Sequence, residues 1–152
     1  MPANRLWAPW RLEYIKAPKS GECVFCNPSH VVHRGSHVFS LLNAFPYNNG
    51  HLMVAPYRHV PSIGSLDAAA AGELMTEAQA ALAAVRAAYS PDGFNLGVNE
   101  GEVAGAGFAE HVHLHVVPRW SGDTNFMPVL ADTNVLPQSL EDSRTAIAEA
   151  WA

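Results

Sequence analysis

The stretch from His111 to Trp120 reads His-Val-His-Leu-His-Val-Val-Pro-Arg-Trp. Three imidazoles alternate with apolar side chains. Successive side chains of an extended chain point to opposite faces. His111, His113 and His115 are therefore predicted to line one face of a strand, while Val112, Leu114 and Val116 fill the other. Neighbouring histidines on that face would stand about 6.5–7 Å apart along the strand. A buried face carrying three imidazoles is costly unless something binds there. Spacing alone is equally compatible with a histidine-rich amphipathic edge strand or an ordinary metal site.

The chain holds 152 residues, 49% of them hydrophobic. That is enough for one domain over 1–152 with a sizeable core, and too apolar for a disordered chain. Its net charge is −5 with histidine neutral, which argues against a broad basic surface for nucleic acid. A small anionic ligand would need local dipoles and a few side chains to hold it. No apolar run reaches membrane-spanning length, and the opening MPANRLWAPW lacks the apolar segment of a signal peptide. A cytoplasmic protein without a membrane partner is expected.

The two cysteines, Cys23 and Cys26, are spaced C-x-x-C. In a reducing compartment this points to metal or redox chemistry before a disulfide. Two thiolates three apart on a turn can share one zinc ion, and the other ligands would have to be histidines, since the chain has no further cysteine. A pair of reduced thiols is the plain alternative. A thioredoxin-like motif fits less well, because no βαβ pattern surrounds the pair.

In chain order, residues 5–16, RLWAPWRLEYIK, read as an irregular arm or short helix broken at Pro9. Residues 17–37 are rich in Pro, Gly, Ser and His and read mostly as loop. Residues 38–43 and 51–56 read as two strands of a hairpin joined by AFPYNNG, whose Asn-Asn-Gly favours a reversal. Residues 66–89 are alanine-rich and predict a helix, with Leu66, Leu74, Met75, Leu82 and Val85 at near-helical spacing. Ser65 or Asp67 would cap it, and Ser90-Pro91 would end it. Residues 94–99 predict a third strand, and 100–107, EGEVAGAG, a glycine-rich loop that exposes backbone N–H groups. After the histidines comes a loop over 121–128. A C-terminal helix over 139–151 follows, with Ser139 as its cap and Ile147 and Trp151 facing inward.

HVHLHVVPRW matches in full the signature of the histidine triad superfamily, and CVFC, SLLNAFPYNNGHLMVAP and FNLGVNEG extend the resemblance along most of the chain. LWAPWRLEYI and RWSGDTNFMPV resemble the bacterial branch that includes diadenosine tetraphosphate phosphorylases. The resemblance implies an α+β fold, with an antiparallel sheet of about five strands, an ordinary size, and helices packed on it. It also implies a homodimer that binds nucleotides and cleaves a link at the α-phosphate of dinucleoside polyphosphates or adenylylated compounds. No organic cofactor is implied.

The residue roles carried by that resemblance are as follows. His113 would attack phosphorus and carry a nucleotidyl intermediate, later passed to water or phosphate. Neutral imidazole suits this, because its ordinary pKa leaves it mostly unprotonated at neutral pH. The other nitrogen of His113 would need an acceptor, expected to be a backbone carbonyl next to His111. His115 would contact the phosphate and the leaving oxygen, and His51 would orient the cluster. Gly105, Ala106 and Gly107 would hold phosphate oxygens through backbone N–H groups, and Asn99 would contact the phosphate. Many members carry Ser or Gln in this loop, so Gly105-Ala106-Gly107 is a departure that leaves the preferred acceptor and leaving group open. Asn43 would bond the ribose. Phe25, Leu42 and Phe45 would wall the base, with core packing the equal alternative for Phe25 and Leu42. Trp120 would lie near the substrate, or serve in the core or an interface.

Some bacterial members hold a structural zinc with C-x-x-C, a histidine after the hairpin and the first histidine of the triad. Carried over, the set is Cys23, Cys26, His59 and His111, with His30, His33 and His37 as rivals for His59. The alternative to an enzyme is a nucleotide-binding regulatory or scaffold protein with little turnover, for which an intact His51, His113 and His115 would be superfluous.

Overall fold

A computed structural model describes residues 21–123 and 137–152. The arm over 5–16 and most of the loop over 121–128 lie outside the described residues. The strands are β1 (Val31–Arg34), β2 (Val38–Leu42), β3 (Leu52–Pro56), β4 (Gly93–Val98) and β5 (Leu114–Arg119), and the helices are α1 (Ala68–Tyr89) and α2 (Leu140–Glu149). The architecture is α+β. One sheet has the order β1-β2-β3-β5-β4, and each neighbouring pair is antiparallel.

The period of two along each strand sorts side chains between two faces. Val38, Leu42, Leu52, Val54, Leu114 and Val116 point to the helices, where they pack with Leu74, Ala78, Ala81, Ala84 and Val85 of α1 and Ile147 of α2. Each fully buried Val, Leu or Ile in such a core contributes about 1.5–3 kcal/mol. The alanines keep α1 close to the sheet. On the opposite face, Phe39, Leu41, Met53 and Ala55 form a second cluster under Phe25. Leu114 and Val116 thus face the helices, and His115 between them faces the other side. No described helix is long and apolar enough to cross a membrane.

Several expectations shift. Among the described residues of 17–37 loop prevails, but Val31–Arg34 forms a strand that pairs with β2 across a bulge between Val31 and His33. The histidine strand starts only at Leu114. Val112 N–H donates to Val60 O at 2.8 Å, so the chain before Leu114 is anchored outside the sheet. The hairpin connection occupies 43–51, with Gly50 at φ +81°, a backbone region that glycine enters without strain. Helix α1 begins at Ala68, capped by the Asp67 carboxylate accepting from Ala70 N–H at 2.8 Å, not by Ser65. Ser90 ends it in the left-handed conformation. Met75 is 58% exposed and takes no part in the core. Trp151 lies beyond α2 and stacks on His33 at 4.7 Å. That imidazole bonds the buried Glu77 carboxylate at 2.7 Å, which also accepts from Ser40 Oγ at 2.8 Å.

Candidate active site

The sheet face away from the helices gathers the imidazoles. His51, immediately before β3, is fully buried, and His113 is 6% exposed. The backbone N–H of Tyr47 donates to His51 Nδ1 at 3.1 Å, so that nitrogen carries no proton. The proton of neutral His51 is then on Nε2, which donates to His115 Nδ1 at 2.9 Å. By the same logic His115 carries its proton on Nε2. His113 Nδ1–H donates to the backbone carbonyl of His111 at 2.9 Å, which leaves the lone pair on Nε2. The rings of His113 and His115 stand 4.8 Å apart, nearly perpendicular. Burial holds the pKa of His113 below the ordinary histidine range, so the ring is a neutral base at neutral pH. Phe25 stacks on it at 4.6 Å.

A cavity of about 400 Å³ opens beside His113 and His115, walled by Phe25, Leu41, Leu42, Phe45, Met53 and Phe108 and rimmed by Asn43 and Asn99. Phe45 is 66% exposed at its mouth. Asn43 Oδ1 accepts the Phe45 N–H at 2.9 Å, which turns the amide NH₂ of Asn43 into its donor for any other partner. Gly105 and Gly107 line this cavity, and Ala106 does not. The glycine-rich segment closes on itself: Gly105 N–H donates to Glu102 O at 3.0 Å and Ala106 N–H to Gly101 O at 3.3 Å. Of the three amides expected to face a phosphate, Gly107 alone is not drawn into this turn. Trp120 lines neither this cavity nor the next and is half-buried. Its N–H donates to Asp123 Oδ2 at 3.2 Å.

A second cavity of about 440 Å³ lies on the other side of His115, and Tyr47, Asn99 and His115 belong to both walls. Its remaining wall includes Asn48, Asn95, Leu96, Val117, Arg119 and Asp123. None of Tyr47, Asn48, Asn95, Arg119 and Asp123 was expected from the sequence. For Arg119 a signal existed, since it continues the alternation of 113, 115 and 117 on one face. Tyr47 and Asn48 sit in a loop whose path no local pattern reveals.

Behind His113 the C-x-x-C turn meets two histidines. One ligand atom each of Cys23, Cys26, His59 and His111 all lie within 4.8 Å of one another. His111 Nδ1 is 3.4 Å from Cys23 Sγ, 3.8 Å from Cys26 Sγ and 3.2 Å from His59 Nδ1, and Cys26 Sγ is 3.4 Å from His59 Nδ1. His111 Nε2–H donates to Pro56 O at 2.7 Å, so Nδ1 is left as a bare lone pair aimed at the cluster. Metal-bound histidines are commonly fixed in this way. Burial lowers the pKa of His111 and raises that of the Cys23 thiol. The four side chains could hold a metal ion. The rivals His30, His33 and His37 are not part of the group.

An antiparallel sheet that sets hydrogen-bonded imidazoles between an apolar slot and a polar one defines an α+β protein with a histidine-based centre. A sequence model described as the HIT domain matches residues 25–122. The chain belongs to the HIT, or histidine triad, family. It is 41% identical, over 98% of its own length and 85% of the relative's, to an AP-4-A phosphorylase of Mycobacterium tuberculosis. A bis(5'-adenosyl)-triphosphatase of Dictyostelium discoideum is 35% identical over 53% of this chain and 54% of its own. Among solved structures, a Zn-bound histidine triad family protein from Mycobacterium smegmatis superposes with a TM-score of 0.69 at 25% identity, covering 84% of this chain and 91% of that one.

Proposed function

We propose that this chain is an enzyme that cleaves dinucleoside polyphosphates at the α-phosphate through a nucleotidyl-histidine on Nε2 of His113. The observation that carries it is the pair of tautomers: a buried, neutral His113 with its lone pair on Nε2, beside a His115 whose proton sits on Nε2. One ring is a nucleophile and the other a hydrogen-bond donor to the leaving oxygen, 4.8 Å away. The M. tuberculosis and D. discoideum relatives support the substrate class.

In the first step His113 Nε2 forms a bond to the α-phosphorus, and the bond from that phosphorus to the bridging oxygen breaks. The departing polyphosphate leaves as its anion with the bond's electron pair, its leaving oxygen hydrogen-bonded by the Nε2–H of His115. In the second step an oxygen of inorganic phosphate or water attacks, the N–P bond breaks with its electron pair returning to His113 Nε2, and the attacking group's proton stays on the phosphate product or passes to solvent. The nucleoside occupies the apolar slot, its base against Leu42, Phe45 and Phe25 and its ribose at Asn43. Asn99 and the Gly107 N–H receive phosphate oxygens. Gly105 and Ala106 contribute only if their turn bonds are exchanged for bonds to the substrate.

The name of the M. tuberculosis relative makes inorganic phosphate the proposed acceptor. Diadenosine tetraphosphate incubated with phosphate should give ADP and ATP, and little product without it. His113→Asn should lower turnover by about a thousandfold or more while nucleotide affinity stays within a few-fold. A fully active His113→Asn protein would overturn the nucleophile, and AMP in place of ADP would overturn the acceptor.

The metal read for the Cys23–Cys26–His59–His111 group is zinc. Two nitrogen and two sulfur ligands at ordinary zinc bond lengths stand about 3.3–3.8 Å apart in a tetrahedron; four of the separations here are 3.2–3.8 Å, and the four atoms all lie within 4.8 Å of one another. With all four positions filled, such an ion supplies cross-linking and no chemistry. A homodimer within the cytoplasm completes the reading. The homodimer is supported by the position of β4 at the end of the sheet of described residues, where Leu96 is 44% exposed.

A further inference from the structure

The polar cavity on the far side of His115 has no role in the chemistry above. It is as large as the apolar slot, and both lie in the size range of small-molecule sites. The two differ in chemistry and touch at three residues, Tyr47, Asn99 and His115. His113 lines only the apolar one. In a displacement at phosphorus, the attacking and leaving groups stand roughly in line. A nucleoside in the apolar slot with its α-phosphate at His113 therefore directs the leaving group past His115 and into the second cavity.

The far wall of that cavity is built, not incidental. Arg119 Nε and Nη2 donate to the Asp123 carboxylate at 2.7 and 3.1 Å, and Nη1 donates to Asn95 Oδ1 at 2.8 Å. Asn48 Nδ2 donates to Asp123 Oδ2 at 2.7 Å and to Pro118 O at 3.0 Å. This chain of bonds joins the hairpin loop, the end of β5 and the β4 edge, and it fixes the guanidinium plane. A guanidinium has five N–H groups, so the plane keeps donors beyond those three bonds. Its charge is balanced by Asp123, which suits a nucleoside or a terminal phosphate better than a dense anion. Arg119 stands four residues beyond His115 on β5, about 13 Å along the strand. A triphosphate together with the nucleoside it carries is long enough to bridge that gap, and a single small leaving group is not.

We propose, resting on the reading of His113 and His115 given above, that this cavity seats the departing nucleoside polyphosphate and that Arg119 contacts it. Arg119 is thereby the residue that discriminates substrates by leaving group. Asp123 and Asn95 position it.

The test compares two substrates that share the adenylyl half, diadenosine tetraphosphate and the p-nitrophenyl ester of AMP. Arg119→Ala should lower kcat/KM for the dinucleotide by about ten- to a hundredfold, the worth of a hydrogen bond to a charged group. The ester's kcat/KM should stay within about twofold, as no contact to its leaving group is lost. Asn95→Ala, which leaves the Asp123 pair intact, should act in the same direction and more weakly. Equal losses on both substrates, or none on either, would overturn the proposal. A wild-type protein inert toward both would instead overturn the histidine chemistry itself. A wild-type protein that cleaves the ester but not the dinucleotide would leave that chemistry standing and sink the leaving-group site.

Discussion

The proton on His115 is placed by a side chain that never reaches the phosphate. His51 receives the Tyr47 N–H on one nitrogen and donates from the other, and being fully buried it has no water to replace either partner. His51→Phe keeps the ring volume and removes the donor, so His115 loses the bond that fixes its tautomer. We expect kcat to fall by about a hundredfold, the lower end of the range for losing one hydrogen-bond donor to developing charge, with KM changed only a few-fold. His51→Gln, which can still donate to His115, should recover part of the loss. A role in packing alone predicts no difference between the two variants in kcat/KM at matched stability. At this scale the site was largely legible: His51, His113 and His115 were expected together, and they meet. Their division of labour was read from the family resemblance and could not be read from spacing, because it depends on which nitrogen faces which partner. The same holds for the glycine-rich turn, where two of three amides are spent on its own carbonyls.

The end of β5 is an element-scale device, since Arg119 and Asp123 bracket Trp120 and link β4, β5 and the hairpin loop. The bond from Arg119 holds the Asp123 carboxyl well below the usual carboxylate range, helped by the Trp120 N–H and the Asn48 amide. A carboxyl whose folded pKa lies below its unfolded value contributes stability above the unfolded pKa. That contribution is lost as pH falls from about 3.9 toward the folded value. Arg119→Ala should therefore be less stable than wild type at neutral pH, and the gap should close below about pH 4. Urea midpoints at pH 7, 4 and 2.5 measure this, and a gap that does not change with pH would count against it. Elements β2 to β4 and both helices were readable within a residue or two, because their apolar periods are strong. Strand β1 was not, because Val31–Arg34 sits among His, Gly and Ser, and its state is decided by pairing with β2. The start of β5 was misplaced for a similar reason: a perfect alternation from His111 onward says nothing about the bond from Val112 N–H to Val60 O.

Among the described residues, the helices cover one face of the sheet, and His113, His115 and the Cys23–Cys26–His59–His111 group lie on the other. His111 belongs to two assemblies there. Its backbone carbonyl accepts the proton of His113, and its ring nitrogen faces Cys23, Cys26 and His59. A metal ion at that group and a nucleotide at His113 would share one residue, and any coupling between them would be reciprocal. Whatever factor the ion adds to nucleotide affinity, the nucleotide must add to the affinity for the ion. AMP should therefore slow the removal of zinc by a chelator and raise the apparent zinc affinity, by about fivefold at the lower end of such couplings. The gain in AMP affinity of loaded over stripped protein should equal it. Equal zinc affinities with and without AMP would mean that the shared residue transmits nothing. If the two gains match, the nucleotide concentration in the cell becomes a determinant of how much of this protein keeps its metal when zinc is scarce.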